Sequence, residues 1–205
     1  MAHPILYSYR RCPYAMRARM ALRYANIAVQ TVEISLREKP AAMLAVSAKG
    51  TVPVLVLPDR VLEQSLDIMD WALSYSDSED WRYANDGQAQ ADMQQLIALN
   101  DTEFKAALDR YKYPERYPGH GVEVYRAQGE QFLQLLEKRL TQNRYLCGAH
   151  VGKADIAIFP FIRQFARVDD TWFVSAPYPC LQAWLKELCE SALFEQIMQK
   201  QTASE

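Results

Sequence analysis

A chain of 205 residues, half of them hydrophobic, has apolar surface enough for a sizeable core without help from disulfides or metals. Its formal net charge is −2, with 23 Lys and Arg set against 25 Asp and Glu, so it lacks the broad positive field that holds a phosphate backbone. This excludes a general nucleic-acid binder as the expected class.

The apolar runs break well short of the roughly 20 residues of a membrane span. The opening Met1-Ala2-His3-Pro4-Ile5 is not a basic patch leading into an apolar signal run, so a cytoplasmic, membrane-free protein is expected. The four cysteines, Cys12, Cys147, Cys180 and Cys189, lack the short paired spacing of a metal site. No metal is expected. In a reducing compartment scattered cysteines are usually apolar fillers, which suits three of these four.

In chain order, residues 5–9 form a short strand pattern, and residues 13–24 run in helix formers without a break. Residues 28–34 return to a β-rich pattern. A second helix is expected from Pro40, a residue at home in a first turn. Residues 52–57 and 60–62 look like two strands joined at Pro58-Asp59, and Ser65 is placed to cap a third helix reaching about Tyr75. This order implies a small sheet with helices packed on it.

From residue 76 to 87 the composition turns to Ser, Asp, Glu, Asn and Gly. Beyond it the pattern is helical: residues 89–110, 122–140, 154–166 and 179–198, with a Pro/Gly-rich loop over 113–121. The expected organisation is a sheet domain at 1–77, a linker at 78–87 and an all-helical domain at 88–205.

The informative stretch is Arg10-Arg11-Cys12-Pro13-Tyr14-Ala15-Met16-Arg17. With Pro13 in the first helical position, Cys12 falls at the N-cap. Its sulfur then faces the unpaired N–H groups of Tyr14 and Ala15 and the positive end of the helix dipole. Both favour thiolate, the form that attacks disulfides and electrophiles. Arg10 and Arg11 either add to this effect or lie in solvent. Ala15 stands where a dithiol oxidoreductase would carry its resolving thiol. An attacked Cys12 must therefore be cleared by an external thiol, for which glutathione is the abundant cytosolic candidate. The plainer alternative is a buried Cys with no role at a helix start.

These residues, together with Leu36-Arg37-Glu38-Lys39-Pro40, Gly50-Thr51-Val52-Pro53-Val54-Leu55 and Gln64-Ser65, resemble the glutathione transferase family, and specifically its cysteine-type, omega-like members. The resemblance is detailed over the first third of the chain and thinner in the helical half. It implies a thioredoxin-like α/β domain followed by an all-α bundle, with glutathione as co-substrate. By this resemblance Cys12 is the catalytic thiol and Lys39 pairs with the glycyl carboxylate. Val52, before a cis Pro53, offers its backbone to the tripeptide, and Gln64 with Ser65 receives the γ-glutamyl end. Lys49 is left as a surface charge.

Two positions depart from the family pattern. Gln64 replaces the glutamate usual in omega-type members, which weakens one charge interaction with the glutathione amine. Gly152 stands where a Ser or Thr usually caps the helix that carries Asp155. A hydroxyl mechanism using Tyr7, Ser8 or Tyr9 is the alternative to Cys12, and strand alternation puts Tyr7 and Tyr9 on the face opposite Ser8.

The resemblance also places a second substrate against the end of the first bundle helix. There Arg110, Tyr111, Lys112, Tyr113 and Arg116 form either an aromatic and basic wall or a plain solvated helix end. His3, His120 and His150 receive no role. The expected function is glutathione-dependent thiol transfer through a Cys12 mixed disulfide, on a small-molecule or protein-disulfide partner, in a homodimer. The rivals are conjugation of glutathione to an electrophile and a non-catalytic binding protein on the same fold.

Overall fold

The computed structural model describes residues 3–200. Residues 1–2 and 201–205, where the expected domains begin and end, lie outside the described residues. The chain forms two compact units, one from residues up to Ser78 together with the chain from Glu190, the other from Glu79–Cys189.

The first unit runs β1 (Ile5–Ser8), α1 (Pro13–Tyr24), β2 (Gln30–Glu33), α2 (Ala41–Val46), β3 (Val54–Val56), β4 (Val61–Leu62) and α3 (Ser65–Tyr75). The strand order is β2-β1-β3-β4. β1 and β2 are parallel with Leu6 opposite Thr31, whereas β1–β3 and β3–β4 are antiparallel. A parallel pair needs a crossover, and α1 supplies it. This is a thioredoxin-like α/β domain.

Helix α1 has no β-branched residue. It is buried on nearly every side, with Ala15, Met16, Ala18, Met20 and Ala21 at most 1% exposed. Such all-round burial means neighbours on several faces. One of those neighbours is α3. The other face of the sheet buries Tyr7, Ile34, Met43 of α2 and Val54, with Tyr9 and Val52 packed at the margin.

The second unit is helical: α4 (Gly87–Leu99), α5 (Lys105–Lys112), α6 (Val122–Leu140), α7 (Lys153–Ala166), α8 (Asp170–Ser175) and α9 (Pro179–Cys189). The helix expected over 89–110 is interrupted by a π segment, Asn100–Phe104. It tucks Asn100 out of solvent and turns Phe104 onto Phe132 and Phe165, with ring centroids 4.9 and 5.4 Å apart. The expected helix over 179–198 divides at Glu190, because Ser191 accepts from the Phe194 N–H and starts a new helix, α10 (Ala192–Met198). Helix α10 packs on α1 and so belongs to the sheet unit, which the sequence reading did not foresee.

Helix α7 explains the glycine at its cap. Asp155 Oδ2 accepts from the Gly152 N–H at 2.9 Å, and its Oδ1 accepts from the Leu146 N–H and the Trp184 indole. A Ser or Thr at 152 has no room for its Cβ, which would lie 2.5 Å from Tyr83 Cε2. The Tyr83 ring is fixed there, stacked on His150 and donating from its hydroxyl to the His150 carbonyl at 2.6 Å. Burial pushes the Asp155 carboxyl up to about 6 despite these donors. Among the described residues no helix is long and apolar enough to cross a membrane.

Replacing Gly152 by Ser should therefore destabilise the protein by about 1–3 kcal/mol in denaturant unfolding, instead of gaining a cap. In a Tyr83→Ala background the same replacement should be neutral or stabilising. A stabilising effect in the wild-type background would show that Tyr83 does not block the position.

Candidate functional site

The first turn of α1 sets the site. Pro13 holds the preceding residue extended, and Cys12 has φ −76° and ψ 122°, with its N–H bonded to the Tyr9 carbonyl at 3.0 Å. The half-buried side chain then points at the turn before β3. There the Val52–Pro53 peptide is cis, as the resemblance implied, and Cys12 Sγ donates to the Val52 carbonyl at 3.8 Å. These two residues, 40 positions apart in sequence, meet directly.

The other expected residues gather around this pair to different degrees. Lys39 is exposed, and its side chain lies over the turn. A Cβ built on Gly50, which has φ +58°, would be 3.3 Å from Lys39 Nζ and 3.2 Å from Leu44. Gly50 thus serves both backbone and space. Gln64 is exposed and is itself the N-cap of α3 with no side-chain cap bond. Ser65 was expected to cap that helix. It is instead the first helical residue, only 4% exposed, and its Oγ accepts from Arg17 Nε at 2.9 Å. Ser47, at the end of α2, donates to Glu63 and ties the Lys39 side of the site to the Gln64 side.

Two cations missed in the sequence matter here. Arg17 and Arg19 of α1 are 2% and 9% exposed, in a helix otherwise lined by Ala, Met and Leu. Arg17 stacks over Tyr14 at 5.0 Å while it bonds Ser65. Arg19 bonds Ser8 Oγ at 2.6 Å and the Arg10 carbonyl at 2.9 Å. The signal was present as two arginines within an apolar run, which reads equally as a solvated helix face.

These contacts decide the state of the sulfur. Burial pushes the Cys12 thiol up, opposed by the Ala15 and Tyr14 N–H groups and by the charges of Arg19 and Arg17. Burial wins. The expectation of a resting thiolate is therefore not met in the unliganded site. The buried sulfur keeps its proton and spends it on the Val52 carbonyl, because a partly enclosed anion loses more hydration than the helix start returns.

Ser8 is fully buried and bonded to Arg19, and Tyr7 lies in the core. Tyr9 is half-buried, with its hydroxyl accepting from Arg11 Nε at 3.2 Å. In the helical unit, Arg116 and Lys112 stack on the Tyr113 ring at 4.4 and 4.9 Å, and Arg110 bonds Gln128. Tyr111, which was expected on the same wall, is buried against Phe165 with centroids 4.8 Å apart. Among the described residues no group of His, Cys, Asp and Glu is arranged to hold a metal.

A thioredoxin-like domain followed by an all-helical one, with a thiol facing a cis-proline turn, defines the class as the glutathione transferase fold. Known proteins agree. Residues 6–79 match the family model described as glutathione S-transferase, N-terminal domain, and residues 94–187 match its C-terminal domain counterpart. The chain belongs to the glutathione transferase family.

Among solved structures, glutathione S-transferase-I bound with lactoylglutathione superposes with a TM-score of 0.78 at 21% identity, over 96% of this chain and 99% of that one. A glutathione transferase from Phanerochaete chrysosporium in complex with oxidized glutathione gives 0.81 at 16% identity, over 96% and 94%. A family member from Pseudomonas fluorescens with two glutathione bound gives 0.80 at 17%, over 96% and 92%. At such identities these likenesses speak for the fold. No curated protein matches the chain.

The pH profile of Cys12 alkylation in the glutathione-free protein should have its midpoint above the value of about 8.5 for free cysteine. Arg19→Gln should move it higher still, since that charge favours the thiolate. A wild-type midpoint well below 8.5 would mean that the helix start outweighs burial.

Proposed function

We propose that the chain is a glutathione-dependent thiol transferase of the omega-like, cysteine-type class, working through Cys12. The observation that carries this reading is the contact of Cys12 Sγ with the Val52 carbonyl at the head of a helix with Ala15 in place of a second thiol. Glutathione lies along the cis turn, its peptide paired with the Val52 N–H and C=O as a strand partner would be. Lys39 meets its glycyl carboxylate, and Gln64 with Ser65 receives the γ-glutamyl end, close to the first N–H groups of α3.

Occupancy of the turn also changes the sulfur. A peptide N–H bonded to the Val52 carbonyl takes away the acceptor of the Cys12 S–H. The N–H groups of Tyr14 and Ala15, with the charges of Arg17 and Arg19, are then the partners left, and they favour the thiolate. The thiolate attacks the glutathionyl sulfur of a mixed disulfide, forming Cys12–S–S–glutathione and expelling the substrate as its thiolate. A second glutathione thiolate attacks that disulfide, releasing oxidised glutathione and regenerating Cys12. Both steps conserve electrons, and no thiol from the chain's own helix is needed.

One observation favours a second reading. A resting Cys12 that keeps its proton can donate to a bound glutathione thiolate, as a hydroxyl would, and this supports conjugation to an electrophile.

Incubation with oxidised glutathione should give a single glutathione adduct by intact mass, absent in Cys12→Ala and removed by added glutathione. Thioltransferase turnover should fall by about 10²-fold or more in Cys12→Ala, the scale at which loss of a nucleophile shows. Conjugating activity that survives Cys12→Ser, with no adduct on the wild type, would replace the first reading by the second.

A further inference from the structure

Beside the outer edge of the sheet, away from the turn that holds Cys12, the first unit contains a cavity of about 860 Å³ between α1, the chain entering β2, and α10. Its lining is of two kinds. Leu22, Ile27, Val29 and Ile197 make an apolar wall, and Arg10, Arg19, Arg23 and Lys200 bring four cations against the single carboxylate of Glu33.

Glu33 is already engaged, accepting from the Arg10 N–H at 2.7 Å, and Arg23 Nε donates to Gln196 at 2.8 Å. Arg19 is the exception. Although 91% buried (9% exposed), its Nε has no hydrogen-bond partner, and on the same edge of the guanidinium Nη2 reaches the Met198 thioether at 3.9 Å besides the Arg10 carbonyl. A thioether is a weak acceptor, so the edge that suits a carboxylate side-on is poorly satisfied.

We propose that this cavity binds amphiphilic organic carboxylates, with the carboxylate in place of the Met198 sulfur on the Nε/Nη2 edge of Arg19, near Arg23, and the hydrocarbon on Leu22, Ile27, Val29 and Ile197. The pairing of a buried, under-bonded guanidinium with an apolar wall selects for both halves of such a ligand. A small inorganic anion leaves the wall wet, and a neutral hydrocarbon leaves the guanidinium as it is.

Occupancy also reaches Cys12. Arg19 is one of the two charges that favour the Cys12 thiolate, and burial already pulls its own guanidinium down to about 10. A carboxylate bonded to Arg19 cancels part of its field at the sulfur, so the thiol keeps its proton to higher pH and reacts more slowly. The site does not depend on the thiol-transferase reading, since it needs neither glutathione nor turnover.

The test is calorimetric titration of the intact protein with octanoate, alongside iodoacetamide alkylation of Cys12 at fixed pH. One octanoate should bind per chain, with 1-octanol at least about tenfold weaker. Saturating glutathione should weaken the affinity by no more than about threefold, the reciprocal of the effect on Cys12. Ile197→Asp, which sets a like charge on a half-exposed wall position, should weaken octanoate by about tenfold or more, and Arg23→Gln by about threefold. Alkylation should slow by about twofold or more, with the concentration dependence of binding. No binding up to about 10 mM, equal binding of octanol, indifference to both substitutions in melts that show them folded, or displacement by glutathione would each overturn the site. Unchanged alkylation at saturation would overturn its link to Cys12.

Discussion

The Cys12 sulfur and the Val52 carbonyl meet because two separate pieces of backbone are fixed independently. Pro13 starts α1 and leaves the preceding residue extended, while the cis peptide before Pro53 brings the Val52 carbonyl to that sulfur. Neither side chain is held by a long flexible arm. The separation of 3.8 Å is thus a property of the sheet unit's framework, with Gly50 and the Ser47–Glu63 bond bracing the loops on each side. A contact built on rigid elements keeps its geometry without a ligand to hold it.

Opposing influences act on that sulfur, and burial is the largest of them. Enclosure raises the cost of charge, and two N–H groups with two buried guanidinium groups lower it. A hydrogen bond added or removed at the sulfur shifts that balance. The unliganded protein rests on the neutral side. A permanently ionised thiol would react more readily with oxidants and electrophiles than this neutral one.

Much of the first unit could be read in the sequence, for local reasons. Strand alternation, the prolines at the starts of α1 and α2 and the turn before β3 are short-range signals, and the resemblance singled out Cys12, Lys39, Val52, Gln64 and Ser65 as expected site residues. The failures are equally physical. Arg17 and Arg19 are charged residues on a helix, and nothing local says that α3 and α10 will cover them. Ser65 has the chemistry of a cap, but Arg17 claims its hydroxyl. The π segment at Asn100–Phe104 leaves helical periodicity almost intact, so a run of good helix formers hides it. The six residues of α8 are too few for a period to show, and only the bond from the Trp172 N–H to Asp169 marks the start. Gly152 reads as a lost cap until the Tyr83 ring is seen in its place.

The sheet unit is discontinuous along the chain, and this has a consequence for its birth on the ribosome. Its strands and first three helices are translated before the helical unit, yet the helix that covers Arg19, Ala192–Met198, is translated after it. During synthesis the nascent sheet unit waits with one flank of α1 unsheltered, and Arg19 and Arg23 keep that flank hydrated instead of sticky. Only when that helix docks is the face of α1 that carries Arg19 closed over.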